Sequence, residues 1–161
     1  SLDPPHKGHH FVCEEAIKAG IDKILVIPSY NHVLKNNIAS YDFRFRLCEE
    51  TFKDLKEVEI SYIEKIYETK YTIDTLNIVR DIYKYDEYRL LIGRDILEET
   101  YKWKDWDKII KIAEPFVVSR ELDSISSTTI RGYLSQGKVK ECESMVTPSV
   151  LKILETENPY L

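Results

Sequence analysis

The chain has 161 residues, of which 43% are hydrophobic and 32% are charged, and its formal net charge is −5. This length and composition are typical of a single soluble globular domain with its own core. The negative charge argues against broad, nonspecific nucleic-acid binding, because neutralising a phosphate backbone requires an excess of Lys and Arg. No apolar run approaches the roughly 18 residues of a membrane span and no leader pattern suggests export, so we expect no membrane association and a cytoplasmic location.

The chain begins with a proline-rich loop that leads into a helical pattern. Pro4 and Pro5 exclude a helix up to that point, whereas the apolar spacing from Phe11 onward is helical. His6 and His9 stand three residues apart, so on a first helical turn both imidazoles lie on roughly one side, beside free N–H groups of the helix end. Such an end favours phosphate. From His-x-Gly-His alone, a surface turn is an equally good interpretation.

The cysteines do not have the spacing of a metal site. Cys13, Cys48 and Cys142 are odd in number, far apart and without a nearby Cys or His partner at zinc spacing. We interpret them as reduced structural thiols, and we predict no metal-binding side chains.

Strand-like and helix-like segments alternate along the rest of the chain. The continuous apolar run at 23–28 has the length and character of a buried parallel strand, and Gly20 before it suits the end of the first helix. Helices are predicted to begin after Ser40 or Asp42, and Thr72 is a predicted cap of the next one. The other predicted segments are strands at 58–61, 88–93 and 115–119, a helix from Asp95, a helix from 126 to near Gly137, and a last helix from Thr147-Pro148.

This alternation predicts an α/β fold. We expect a Rossmann-like, doubly wound parallel sheet with helices on both faces and a C-terminal helical segment, formed by residues 1–161 as one domain. Such sheets bind ligands at the carboxyl ends of their strands.

A second anion site is predicted at the start of the helix that follows residue 125. Ser126, Ser127 and Thr128 supply hydroxyl and amide groups there, and Arg131 adds a planar set of donors one turn later. Ser and Thr at such a place also act as simple helix caps, and that alternative stays open from the residues alone.

Four motifs together resemble those of one known family. The chain contains Asp-Pro-Pro-His-Lys-Gly-His from Asp3 to His9, and it carries Ile-Ser-Ser-Thr-x-Ile-Arg at 125–131. Between them lie Tyr-Thr-x-x-Thr-Leu at 71–76 and Gly-x-Asp at 93–95. The set and its order are similar to those of the bacterial nicotinate-nucleotide adenylyltransferases, which belong to the nucleotidyltransferase superfamily with the His-x-Gly-His motif.

The resemblance implies a reaction. It implies transfer of AMP from ATP to nicotinate mononucleotide, giving nicotinate adenine dinucleotide and pyrophosphate in NAD biosynthesis, with Mg²⁺ assisting. Two alternatives stay open. One is a related adenylyltransferase that uses nicotinamide mononucleotide or phosphopantetheine, and the other is a nucleotide-binding module without turnover. The sequence does not give the oligomeric state, and a homo-oligomer stays open.

The resemblance also implies roles for individual residues. Trp103 matches a tryptophan that stacks on the nicotinate ring, although the residue pattern alone also fits a packing role, and Asp95 fits either a ribose contact or a helix cap. His9 is the better candidate of the two histidines for the transferring phosphoryl group. The implied catalytic residues are His6, His9 and Arg131; the ATP-binding residues are Asp3, Gly8, Lys35, Gly93, Asp95, Ser126, Ser127 and Thr128; and the acceptor-binding residues are Arg44, Tyr71, Thr72 and Trp103.

The family has a hydrophobic strand and a glycine pair before the position of Ser1. Loss of a central strand forfeits several buried side chains worth about 1.5–3 kcal/mol each, against a net stability of roughly 5–15 kcal/mol. We therefore expect the full polypeptide to contain such a strand before Ser1. The junction at 120–126 is shorter than in the family, as an omission or as a true deletion.

Overall fold

The fold was analysed in a computed structural model that describes residues 1–31, 39–119 and 125–161, apart from the side chain of Asp95. Helices and strands alternate along these ranges, as the sequence predicted. In chain order the elements are α1 (Lys7–Lys18), β1 (Ile24–Val26), α2 (Tyr41–Phe52), β2 (Val58–Ile60), α3 (Ile63–Tyr67), α4 (Thr72–Tyr83), β3 (Arg89–Gly93), α5 (Arg94–Leu97), α6 (Trp106–Ile112), β4 (Glu114–Val118), α7 (Ser127–Leu134) and α8 (Pro148–Thr156), with 3₁₀ turns at Thr100–Lys102 and Val139–Cys142.

The strands pair in parallel, which confirms the α/β prediction. β1 pairs with β2, with Ile24 opposite Val58, and β3 pairs with β4, with Arg89 opposite Glu114. In the described ranges these are two separate two-stranded sheets, whereas the sequence analysis expected one continuous sheet. A cavity of about 340 Å³ lies between the pairs, bordered by β1 on one side and β3 on the other.

Helix α1 packs against both strand pairs. Cys13 and Ala16 on this helix belong to one buried cluster with Ile24 of β1, and Leu91 and Phe116 of the second pair pack against that cluster. The apolar face of α1 therefore connects the two sheets and places the histidine motif, at the start of α1, beside them.

A second buried cluster holds the C-terminal helices. It joins α2, α7, the second 3₁₀ turn and α8, and each of its members is fully shielded from solvent: Leu47, Ile130, Leu134, Cys142, Val146, Val150 and Leu154. Because Ile130 and Leu134 stand four residues apart on α7, they fix the rotation of that helix and so the direction of its N-terminal turn.

The helix ends follow the predicted signals closely. Ser40 accepts a hydrogen bond from the Phe43 amide at 3.3 Å at the start of α2, and Pro148 is the first residue of α8. Gly20, with φ +96°, follows α1, as predicted for a left-handed helix end. One prediction was wrong: the N-cap of α4 is Tyr71, whereas Thr72 lies inside the helix.

The cysteines are buried and unpaired, as expected for structural thiols. Burial raises the pKa of the Cys13 and Cys48 thiols to about 12. Across the described ranges, no helix combines the length and the apolar character that a bilayer crossing requires.

Candidate active site

The two motif histidines form a compact unit at the start of α1. His6 is the N-cap, and its Nδ1 accepts a hydrogen bond from the Gly8 amide at 3.1 Å. His9 Nδ1 accepts from the His6 amide at 3.2 Å, and the two ring centroids are 3.8 Å apart. Because Nδ1 of each ring is an acceptor, the neutral tautomer carries its proton on Nε2. Each ring can therefore act as an Nε2–H donor.

The two rings differ in exposure. His6 is only 2% exposed, whereas His9 is half-buried. His9 is therefore the more accessible donor, and its assignment to the transferring phosphoryl group stays a prediction.

The amides of this first turn are not free, contrary to the expectation from sequence. The Lys7 amide donates to the Met145 carbonyl at 2.9 Å, the Gly8 amide to His6 Nδ1, and the His9 amide to the His6 carbonyl at 2.9 Å. The carbonyl of Met145 comes from far along the chain, so the sequence around the motif gives no sign of it. An anion at this end would be held by the imidazoles rather than by these N–H groups.

The start of α7 lies directly against the motif loop. Ser127 Oγ donates to the Pro4 carbonyl at 2.9 Å, and Arg131 Nη1 donates to the Asp3 carbonyl at 2.6 Å. The structure thus brings together the two segments that the sequence predicted as anion sites, although more than 120 residues separate the bonded partners.

The N-terminal turn of α7 keeps donors available. Ser126 Oγ caps the helix by accepting from the Thr129 amide at 3.1 Å, and Arg131 Nη2 also donates to Thr128 Oγ1 at 3.1 Å. Within the described part of the chain, no acceptor is bonded to the amides of Ser127 and Thr128. This turn therefore combines two N–H groups and a guanidinium at the positive end of a helix.

Asp3 anchors the motif loop from inside the protein. Its side chain is fully buried, and Oδ1 accepts from the Tyr160 hydroxyl at 2.7 Å and from the Ala39 amide at 3.3 Å. No described group is hydrogen-bonded to Oδ2. Burial and the neighbouring carboxylate raise the pKa of Tyr160, so its hydroxyl stays a donor. Sequence reasoning missed Tyr160, which lies 157 residues from Asp3.

Arg44 is buried and bonded to backbone. Its guanidinium donates to the carbonyls of Ala39 at 3.1 Å, Ser1 at 2.9 Å and Ser29 at 2.7 Å. These bonds tie the start of the chain, the segment after β1 and the start of α2 together. Its predicted contact with the acceptor stays a prediction.

Three of the four predicted acceptor residues line one cavity of about 350 Å³, and Arg44 is not among its lining residues. Tyr71 and Thr72 reach it from the start of α4, Trp103 from the residue after the first 3₁₀ turn, and Ser29 from the segment after β1. Trp103 is half-buried and meets the ring of Trp106 edge-on at 5.8 Å. An aromatic face beside backbone polar groups suits a planar heterocycle.

Glu64 lies at the same cavity and was not predicted. Its carboxylate accepts from the Tyr30 amide at 3.0 Å and from Thr75 Oγ1 at 3.1 Å, so it joins the segment after β1 to the first turn of α4. Burial raises the pKa of this carboxyl. The second Thr of the Tyr-Thr-x-x-Thr motif, Thr75, therefore bonds a half-buried carboxylate, a pairing that the spacing of the motif does not reveal.

The structure describes some of the remaining predicted residues and not others. Gly93 ends β3, is buried and precedes α5, whose second residue is Asp95. Gly8 lies buried in the first turn of α1. The side chain of Asp95, the whole of Lys35 and the shortened junction at 120–124 lie outside the described residues.

The described residues contain no cluster of side chains suited to binding a metal ion. Within those ranges, His, Cys, Asp and Glu side chains do not form a group of three that could bind one. The donors gathered at the site are imidazole N–H, amide N–H and guanidinium groups, which match phosphate oxygens.

Comparison with known proteins agrees with this geometry. Residues 1–133 match the cytidylyltransferase-like family. A probable nicotinate-nucleotide adenylyltransferase from Fusobacterium nucleatum is 32% identical over 188 residues, covering 98% of this chain and 94% of the relative. A Vibrio parahaemolyticus structure assigned as a nicotinate-nucleotide adenylyltransferase superposes with a TM-score of 0.82 at 25% identity, covering 99% of this chain and 90% of that one.

A more distant structure supports the fold alone. The Plasmodium falciparum nicotinic acid mononucleotide adenylyltransferase, solved in complex with NaAD, gives a TM-score of 0.84 at 14% identity and covers 99% of this chain and 93% of its own. Similarity in sequence and in fold thus extends over nearly the whole chain, and on that basis the chain belongs to the nicotinate-nucleotide adenylyltransferases of the cytidylyltransferase-like family.

Proposed function

We propose that this protein transfers AMP from ATP to nicotinate mononucleotide, with pyrophosphate as the second product. The observation that carries the proposal is the contact between the motif loop and α7, made by Ser127 on Pro4 and by Arg131 on Asp3. It places the imidazoles of the motif, the N-terminal amides of α7 and the Arg131 guanidinium in neighbouring segments, and these are donor groups that bind phosphate oxygens.

The reaction then needs no protein nucleophile. A phosphate oxygen of the mononucleotide attacks the α-phosphorus of ATP, and the bond to the pyrophosphate oxygen breaks in line, with its electron pair leaving on pyrophosphate. The protein holds two anions that repel each other, and such positioning supplies about 7–11 kcal/mol of the barrier reduction in favourable cases.

Each group has a distinct part in this proposal. The Nε2–H of His9 donates to the α-phosphate as its charge is redistributed, while His6 orients His9 through the cap bond. The α7 amides and Arg131 hold the departing β,γ-phosphates. The cavity around Tyr71, Thr72 and Trp103 takes the pyridine ring of the acceptor.

Mg²⁺ is proposed only as the ion that accompanies ATP. When bound to the triphosphate it would reduce the negative charge between the two reactants. We also propose that residues 1–161 act as one domain and that the enzyme works in the cytoplasm.

The experiment is a pyrophosphate-release assay with ATP and three separate acceptors: nicotinate mononucleotide, nicotinamide mononucleotide and phosphopantetheine. We expect nicotinate mononucleotide to give the highest kcat/KM. If it gives no stimulation above ATP alone, the proposed function is wrong. Nucleotide binding without turnover of any of the three would instead indicate a binding module.

The role of His9 can be separated from its structural role. His9→Asn keeps an acceptor near the position of Nδ1, so the cap bond from His6 can persist, but it removes the Nε2–H. Loss of one such donor lowers kcat by about 10²–10³-fold in comparable sites. His10→Asn is the matched control, because His10 lies on the same helix and bonds Asp54 at 2.9 Å, away from the site. Equal activity of the two variants would contradict the role of His9.

A further inference from the structure

Three lysines surround the acceptor cavity. Lys70 precedes the Tyr-Thr motif, and Lys102 and Lys104 flank Trp103 in the chain. The ammonium group of Lys104 lies 4.5 Å from the ring centroid of Tyr71, so this charge is placed over an aromatic residue of the cavity. All three residues are exposed in the absence of a ligand.

Within the described ranges, these three charges take part in no ion pair. Although the chain carries a net charge of −5, neither Lys70, Lys102 nor Lys104 forms an ion pair with any acidic residue in the described ranges. Some exposed lysines elsewhere form such pairs, as Lys53 does with Glu50 at 2.8 Å and Lys108 with Asp105 at 3.3 Å, whereas others in the described part of the chain, such as Lys152, do not.

The one carboxylate among the described residues that line this cavity is Glu64. Its oxygens accept hydrogen bonds from the Tyr30 amide and Thr75, and it is one carboxylate facing three lysines in the lining. The cavity therefore carries an excess of positive charge and favours an anionic ligand.

We propose that Lys70, Lys102 and Lys104 determine acceptor specificity by favouring a pyridine nucleotide with a ring carboxylate over its carboxamide counterpart. This rests on the proposed function. The two acceptors have nearly the same shape and the same phosphate, and they differ by one negative charge on the ring. Packing against Trp103 cannot separate them, whereas the electrostatic potential of the cavity can.

The alternative is that these lysines bind the phosphate of the acceptor. In that case their removal would slow both acceptors equally, because both carry the phosphate. The ratio of kcat/KM for nicotinate mononucleotide to kcat/KM for nicotinamide mononucleotide distinguishes the two cases, and a merely structural role would not change that ratio.

The test uses Lys→Gln at each of the three positions and the triple variant, assayed with both acceptors at saturating ATP. We expect the ratio to fall about two- to fivefold for each single change, the range for one exposed charge. We expect the largest fall of this ratio in the triple variant, and we expect the wild-type ratio to fall as ionic strength rises. Lys152→Gln removes the same charge from α8, away from the cavity, and should leave the ratio unchanged.

The possible results separate the failure of this inference from the failure of the proposed function. A falling ratio in the cavity variants with an unchanged ratio in Lys152→Gln supports the inference. An unchanged ratio in the triple variant, while the wild type still uses nicotinate mononucleotide, overturns the inference and leaves the proposed function intact. A wild-type protein that does not use nicotinate mononucleotide overturns both.

Discussion

Tyr160 and Asp3 link the two ends of the chain at the scale of single side chains. The 2.7 Å bond from the Tyr160 hydroxyl is the shorter of the two bonds to Asp3 Oδ1, and Asp3 is fully buried. A buried carboxylate that loses its donor keeps the full cost of its desolvation. Tyr160 is therefore expected to hold the motif loop, and with it the histidine pair, in position.

Tyr160→Phe tests this link. Removing the hydroxyl leaves Asp3 with the longer bond from Ala39, so we expect the free energy of unfolding to fall by about 1–3 kcal/mol, as measured by urea denaturation. We expect kcat to fall as well, because the motif loop loses an anchor. Tyr101→Phe is the control, since that side chain is 76% exposed. Equal stability of the two variants would contradict the role of Tyr160.

Glu64 gives a pH dependence whose sign follows from its pKa. Burial raises the folded-state pKa above the usual value of 4.5, so the folded protein holds a proton that the unfolded chain has lost in the interval between the two values. Its contribution to stability is thus present below the unfolded pKa and lost as pH rises through the folded pKa. Glu64→Gln removes this titration.

We expect the stability of Glu64→Gln relative to wild type to increase from about pH 4 to pH 8. Urea denaturation of both proteins across this range measures the difference. A difference that stays constant or shrinks with rising pH would show that the Glu64 pKa is not raised.

Two sets of contacts hold helix α7, and together they fix the position of its N-terminal turn. Ile130 and Leu134 lie in the C-terminal core, while Ser127 and Arg131 bond the motif loop. The helix is only eight residues long, so its own propensity contributes little and its position depends on these contacts.

Ser126→Ala and Ser40→Ala form a matched pair at the level of helices. Each removes a serine cap, of α7 and of α2, and each should cost about 0.5–2 kcal/mol of stability. Only Ser126 stands at the proposed phosphate site, so only Ser126→Ala should also raise the KM for ATP. Thermal denaturation and ATP titration check both expectations, and an equal KM in the two variants would argue against an anion site at α7.

The buried thiols give a further prediction for α1 and α2. Because the pKa of Cys13 and of Cys48 is about 12, we expect both to be protonated and unreactive toward a thiol reagent at about pH 8. Their modification should become fast in denaturing urea. Rapid modification of either thiol in the native protein, followed by mass spectrometry of peptides, would contradict the burial described for them.

At the scale of the whole molecule, the two strand pairs of the described ranges border a shared cavity. The Ile24 amide donates to Glu57 at 2.8 Å and the Val26 carbonyl accepts from Ser61 at 2.9 Å, so both point toward β2. Leu25 therefore directs its N–H and C=O toward the other side, where the cavity separates β1 from β3.

Hydrogen exchange can test the direction of the Leu25 amide. In the 161-residue chain we expect the Leu25 amide to exchange much faster than the Ile24 amide, because only the latter is bonded to β2. Equal protection of the two amides would contradict the direction described for the Leu25 amide.

The sequence by itself determined the features that depend on near neighbours. The capping serines Ser40 and Ser126, the glycine after α1 and the buried strand runs were predictable because each acts within one turn or one strand. The family motifs also indicated which residues meet at the site, and the contact of α7 with the motif loop agrees with that expectation.

Only the tertiary structure decided the contacts between distant segments. The Met145 carbonyl on the Lys7 amide, the Tyr160 hydroxyl on Asp3 and the three carbonyls on Arg44 join residues whose spacing carries no signal. The cavity between the two strand pairs was likewise not predictable from the spacing of residues. Local pattern fixes which residues form a helix or a strand, whereas the partners of a buried polar group depend on which distant segments the packed core brings within hydrogen-bond reach.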